Sequence, residues 1–101
     1  MADPGYAVAA GVEVPERPGQ YVYVLRCSDG TLYTGYTTDV RPRIAEHAAG
    51  EGAKYTRGRA PVELVHVESF DSRSDAMVRE HEIKQLDRTE KVALVSPTDT
   101  P

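Results

Sequence analysis

Two short runs of β-branched and aromatic residues, Tyr21–Arg26 (YVYVLR) and Thr31–Thr37 (TLYTGYT), flank Cys27 and the turn formers Ser28-Asp29-Gly30. Such runs on either side of an Asp-Gly pair specify a β-hairpin. Which side chains share a face depends on the turn. A two-residue Asp29-Gly30 turn pairs Tyr23 with Tyr36 and Arg26 with Tyr33. A three-residue turn with Gly30 left-handed pairs Tyr23 with Gly35 and Leu25 with Tyr33, and only this places Tyr23 and Tyr33 on one face. Propensity slightly favours the shorter turn, and the residues fit both. Gly35, inside the second strand, marks a bulge or a close backbone approach.

A helix follows at once. Thr38 or Asp39 can cap it, Pro42 falls in its first turn where a missing N–H is tolerated, and Gly50 ends it. Val40, Ile44 and Ala48 recur at helical spacing, and Arg43 and His47, four apart, are neighbours on one edge. Residues 50–60 form a glycine-rich loop in which Lys54, Arg57 and Arg59 surround Tyr55. Val62–Phe70 reads as a third strand. Ser72 and Asp75 form a capping signal for a helix over about 73–86, with Ala76, Met77, Ile83 and Leu86 as its apolar positions. Glu80 falls on that inward stripe, and a carboxylate there needs a partner. Asp87 and Glu90 start a last short helix carrying Val92, Leu94 and Val95. The order β-β-α-β-α-α predicts an α+β fold, a small three-stranded antiparallel sheet flanked by helices.

The 101 residues predict one domain. Residues 1–18, with three prolines and no lasting period, read as a flexible extension, and 96–101 as a flexible tail. That leaves 77 residues, 19–95, for the core, too few to enclose a deep site. The net charge is −4, but 19–95 holds 11 Lys and Arg against 12 Asp and Glu, so the acidity lies mostly in the ends. The core is not a basic domain, which argues against a strong general nucleic-acid binder; contact must come from a local patch. Cys27 is alone, excluding a disulfide framework and a cysteine metal site. His81-Glu82 begins no HExxH pattern, and with His66 it makes no zinc signature. No secretory signal and no apolar run of membrane-spanning length is visible, so the expectation is a cytoplasmic protein.

The first candidate constellation is Tyr23, Tyr33, Arg43, His47 and Glu80. Cleaving a phosphodiester needs a proton acceptor for the attacking water, positive charge on the transition state, and help for the leaving oxygen. A tyrosinate can be the base only if its pKa falls from about 10. Arg43 suits a forked grip on phosphate, and Glu80 suits a divalent cation such as Mg²⁺, which often takes one or two protein carboxylates plus water. The ordinary alternative is packed tyrosines, a solvated Arg43 and His47, and a Glu80 paired with a neighbouring cation. The second constellation, Lys54, Tyr55, Arg57 and Arg59, can grip a nucleic-acid backbone and stack a base, or be a plain surface loop.

YVYVL…LYTGYTTDVRPRIAEH resembles the paired-motif core of the GIY-YIG nuclease superfamily. Tyr21-Val22-Tyr23 stands where that family has Gly-Ile-Tyr, and Tyr33-Thr34-Gly35 where it has Tyr-Ile-Gly. Arg43 matches the family's helix arginine and His47 the histidine four residues later. Ala76…Glu80…Ile83-Lys84 resembles the helix with the metal-binding glutamate. GAKYTRGRAPVELV and RSDAMVREHEIKQL resemble the small single-domain bacterial members, related to the N-terminal nuclease domain of the excision-repair subunit UvrC. The resemblance implies a divalent metal, Mg²⁺ or Mn²⁺, at Glu80 and hydrolysis of a DNA phosphodiester. It implies Tyr23 as general base assisted by Tyr33, Arg43 on the phosphate, and His47 on the proton path or the phosphate. It also selects the three-residue turn, because both tyrosines must share a face. Branched, nicked or single-stranded DNA is the expected substrate, in repair or recombination. Tyr21 in place of the first glycine is a mild departure at a backbone-packing position; the lack of a basic surface implies that a protein partner supplies DNA affinity. The alternative is a non-catalytic nucleic-acid- or protein-binding module that retains the fold.

Overall fold

The structure, a computed structural model, describes residues 6–52, 56 and 58–95. Lys54, Tyr55, Arg57 and the segments 1–5 and 96–101 lie outside the described residues. The elements run β1 (Ala7–Val8), β2 (Gln20–Arg26), β3 (Leu32–Thr37), α1 (Val40–Ala48), β4 (Glu63–Phe70), α2 (Arg73–Gln85) and α3 (Arg88–Val95). The class is α+β as expected, but the sheet has four strands, in the order β1-β4-β2-β3.

The hairpin takes the three-residue turn. Cys27 N–H donates to Thr31 O at 2.9 Å, Gly30 N–H to Cys27 O at 2.9 Å, and Gly30 has φ +84°. Tyr23 pairs with Gly35 and Leu25 with Tyr33. The reason lies across the strands. A Cβ at Gly35 would fall 2.5 Å from the Tyr23 hydroxyl oxygen and 2.6 Å from Cζ. The Tyr23 ring therefore lies over the bare backbone of Gly35, which the two-residue turn would have moved away.

The fourth strand comes from the stretch expected to be a flexible extension. β1 pairs in parallel with β4, Ala7 opposite Glu63 and Val8 opposite Leu64. Tyr6, Val12 and Val14 pack against the core. Arg41 donates to Pro15 O and Val14 O, both at 3.3 Å, and the Tyr21 hydroxyl to Arg17 O at 2.9 Å. Sequence periodicity misses such a segment because a two-residue strand carries no period.

Strand alternation divides the core into two clusters. Tyr21, Tyr23 and Leu25 pack with Val40 and Ile44 of α1. Val22 and Val24 pack with Ala76 and Ile83 of α2 on the opposite face. α1 ends as its Gly50 demands: Gly50 N–H reaches His47 O at 3.1 Å and Glu51 N–H reaches Glu46 O at 2.8 Å, with Gly50 at φ +80°. Asp39 stands at the N-cap of α1, but its side chain makes no capping bond. α2 starts with Ser72 Oγ accepting from Asp75 N–H at 3.1 Å. At the head of α3, Asp87 and Glu90 bond each other's backbone N–H at 2.8 and 2.9 Å. Met77, expected on the inward stripe, is 37% exposed, so the stripe is Ala76, Glu80 and Ile83. Among the described residues no helix is long and apolar enough to cross a membrane.

Candidate functional site

The site is built on His47, in the last turn of α1 and fully buried. Its Nε2 is 2.8 Å from the Tyr23 hydroxyl and its Nδ1 2.7 Å from Thr56 Oγ1. Arg43, one helical turn earlier, has its guanidinium against the Tyr23 oxygen. A guanidinium only donates, and one proton arrangement satisfies all four groups: the Tyr23 oxygen accepts from Arg43 and gives its own O–H to His47 Nε2, while the His47 ring, as the Nδ1–H tautomer, donates to Thr56.

Burial, the largest influence, holds the Tyr23 phenol well above its usual range. Arg43 pulls it down, while Tyr33 and the Glu80 carboxylate push it up. Tyr23 is thus a phenol at rest, not a tyrosinate. Burial, and after it the charge of Arg43, depress His47 to about 4 against the opposing pull of Glu46, so its ring is neutral at pH 7.

The depressed value has a stability consequence. An unfolded histidine titrates near 6.5, so between pH 6.5 and 4 the unfolded chain binds more protons than the folded one. Stability must then rise with pH across that window and be lost as pH falls through it. The loss at His47 amounts to at most about 3 kcal/mol. Urea unfolding at pH 7, 5.5 and 4 should show the wild-type advantage over His47→Gln shrinking toward acid. A constant gap would mean that His47 is readily protonated in the fold.

Tyr33 closes the aromatic set, with ring centroids 6.3 Å from Tyr23 and 5.2 Å from His47. Two glycines make the room. Gly35 admits the Tyr23 ring, and a Cβ on Gly52 would fall 2.7 Å from His47 Cγ and 2.9 Å from its Cα. Arg43 donates to Glu46 Oε1 at 2.9 Å. Glu80 lies on α2, against the other face of the sheet, with its side chain 13% exposed. Lys84 Nζ stands 3.4 Å from its Oε2. Its charge still acts on the Tyr23 hydroxyl, which crosses to the edge strand over Gly35.

The structure thus brings Tyr23, Tyr33, Arg43 and His47 together and puts Glu80 within electrostatic reach. Arg59 is placed elsewhere. It pairs with Asp29 and its backbone O accepts from Ser28 N–H at 2.8 Å, clamping the hairpin tip. His66 belongs to an ion-pair network: its Nε2 is 2.6 Å from Glu68, which Arg79 grips with two bonds of 2.8 and 3.0 Å. Thr56, Gly52 and Glu46 were not singled out from the sequence, and Lys84 was named only within the stretch that resembles the glutamate helix. The Gly-Glu-Gly run after α1 and the i,i+3 spacing of Arg43 and Glu46 were the available signals; nothing marked Thr56.

Among the described residues no group of three His, Cys, Asp or Glu side chains is arranged to hold a metal ion. The oxygen donors fit Mg²⁺ or Mn²⁺ only in the one-carboxylate mode. Glu80 has hard oxygens and a loose counter-ion, and such a cation completes its shell with water and substrate phosphate.

Residues 19–93 match the family described as GIY-YIG catalytic domain. The chain is 72% identical over 76 residues to a UPF0213 protein of Natronomonas pharaonis, covering 75% of this chain and 89% of that one. It is 70% identical over 74 residues to a UPF0213 protein of Halobacterium salinarum, covering 73% and 96%. The solution NMR structure of a UPF0213 protein from Bacillus halodurans is similar, with TM-score 0.53 and 55% identity, covering 81% of this chain and 87% of that one.

Proposed function

The chain belongs to the GIY-YIG catalytic domain family, and on that premise we propose that it is a metal-dependent DNA endonuclease that hydrolyses phosphodiester bonds. The observation that carries this is the buried chain Thr56–His47–Tyr23, with Arg43 acting on the tyrosine and the Glu80 charge felt at its hydroxyl. Tyr23 works as a conduit. As its oxygen takes a proton from the attacking water, its own proton passes to the neutral Nε2 of His47. Thr56 holds the Nδ1–H side and keeps the ring oriented. Arg43 leaves Glu46 to carry the charge that builds on the phosphate oxygens. Tyr33 packs the ring pair and lines the approach. Glu80 would hold the divalent cation, which would supply Lewis-acid charge at the phosphate. Water moving its proton through a phenol to an imidazole needs no resident tyrosinate, which suits the raised Tyr23.

The substrate is DNA, branched, nicked or single-stranded, handled in repair or recombination in the cytoplasm, with a protein partner adding affinity. Lys54, Arg57 and Arg59 are the proposed contacts to its backbone, with Tyr55 stacking on a base. The test is incubation of the protein with each DNA form and Mg²⁺ or Mn²⁺. Arg43→Ala and Glu80→Ala should each lower cleavage by about 10²–10³-fold. Cleavage unchanged in both proteins would refute the assignment. Salt-sensitive DNA binding with no cleavage by any form would support a non-catalytic binding module instead.

A further inference from the structure

Both charged groups of the site are internally neutralised in the free protein. Arg43 is held by Glu46 at 2.9 Å and Glu80 by Lys84 at 3.4 Å. The second pair is the informative one. Its separation exceeds the roughly 2.7–2.9 Å of a strong charge-assisted hydrogen bond. The Lys84 side chain is 50% exposed while that of Glu80 is 13% exposed, so the lysine is the partner with room to leave into solvent. An ammonium and a divalent cation on one carboxylate repel each other, so they exclude each other at Glu80.

We infer that Lys84 competes with the divalent cation for Glu80 and, when displaced, contacts a phosphate of the nucleic acid. This rests on the reading of Glu80 as the cation's ligand. Lys84 lies one helical turn past Glu80 on α2 with half of its side chain exposed, so a phosphate held by a cation at Glu80 is the anion it would reach once displaced. Nucleic acid that engages Lys84 frees Glu80 for the cation, and the cation releases Lys84 for nucleic acid. By reciprocity the two ligands must tighten each other by one shared factor.

Mn²⁺ titrated calorimetrically into the full chain tests this, with and without a single-stranded phosphorothioate oligonucleotide. Lys84→Gln alone should bind Mn²⁺ roughly two- to five-fold tighter than wild type, the range expected from losing an exposed ion pair. The oligonucleotide should tighten Mn²⁺ binding more in wild type than in Lys84→Gln. Lys84→Arg, which keeps the charge, should behave as wild type. Equal Mn²⁺ affinity in wild type and Lys84→Gln, with binding lost in Glu80→Gln, overturns the competition and leaves Lys84 an ordinary helix-surface pair. No Mn²⁺ binding by wild type, with or without the oligonucleotide, removes the Glu80 metal reading itself and the inference with it.

Discussion

Replacing Tyr23 with phenylalanine is expected to lower single-turnover cleavage by about 10²–10⁴-fold, the range of a lost general acid–base group. The ring stays and only the hydroxyl goes, so packing over Gly35 is kept while the bond to His47 at 2.8 Å is lost. The loss should fall on the chemical step, with oligonucleotide affinity changed by less than about threefold, because a group acting only in the transition state does not report in ground-state binding. His47→Gln interrupts the same proton path one residue further on. The double variant should therefore be no worse than the more damaged single one, since residues acting as a unit are not additive. Losses that multiply would show that Tyr23 and His47 act separately. The phenylalanine variant also leaves a buried imidazole nitrogen without its partner, which costs about 1–3 kcal/mol; activity must be compared well below its melting temperature.

Gly35→Ala should be the most damaging single-methyl change in the hairpin. The added Cβ would lie 2.6 Å from Tyr23 Cζ, against a ring that is fully buried. The ring must move by nearly an ångström, and it cannot do so while bonded to His47. Overpacking of this kind costs about 1–3 kcal/mol, outweighing the roughly 0.5–1 kcal/mol that alanine gains over glycine in a strand. The net cost of about 0.5–2 kcal/mol, at about 4–8 °C per kcal/mol for a domain of this size, should lower the melting temperature by about 2–15 °C. Cleavage should fall with it, because the displaced phenol no longer faces His47. Combining Gly35→Ala with Tyr23→Leu removes the clashing ring, so the pair should be more stable than the sum of its parts predicts. A Gly35→Ala protein that melts as wild type would show that the ring does not rest on this glycine.

Much of the architecture was legible in the residues alone. The hairpin runs, the Gly50 stop of α1, the Ser72 and Asp87 starts and the inward place of Glu80 are all local signals. Each depends on backbone groups within a few residues, so propensity and period reveal it. The family resemblance extended that reading to the set Tyr23, Tyr33, Arg43, His47 and Glu80.

Other features needed the folded chain. The turn length was open to propensity and was decided by the Tyr23 ring seeking the empty side of Gly35. β1 has two residues and no pattern; it forms because β4 offers an edge and the core offers a surface to Tyr6, Val12 and Val14. Thr56 is nine residues from His47, and only the folded chain sets its hydroxyl against Nδ1. The resting states of Tyr23 and His47 follow from burial, a property of the packed interior that no spacing along the chain encodes. Local residue patterns specified which groups were available and which elements would carry them. Tertiary structure decided which of them meet, and in which protonation state, because desolvation and steric contact act between residues distant in sequence.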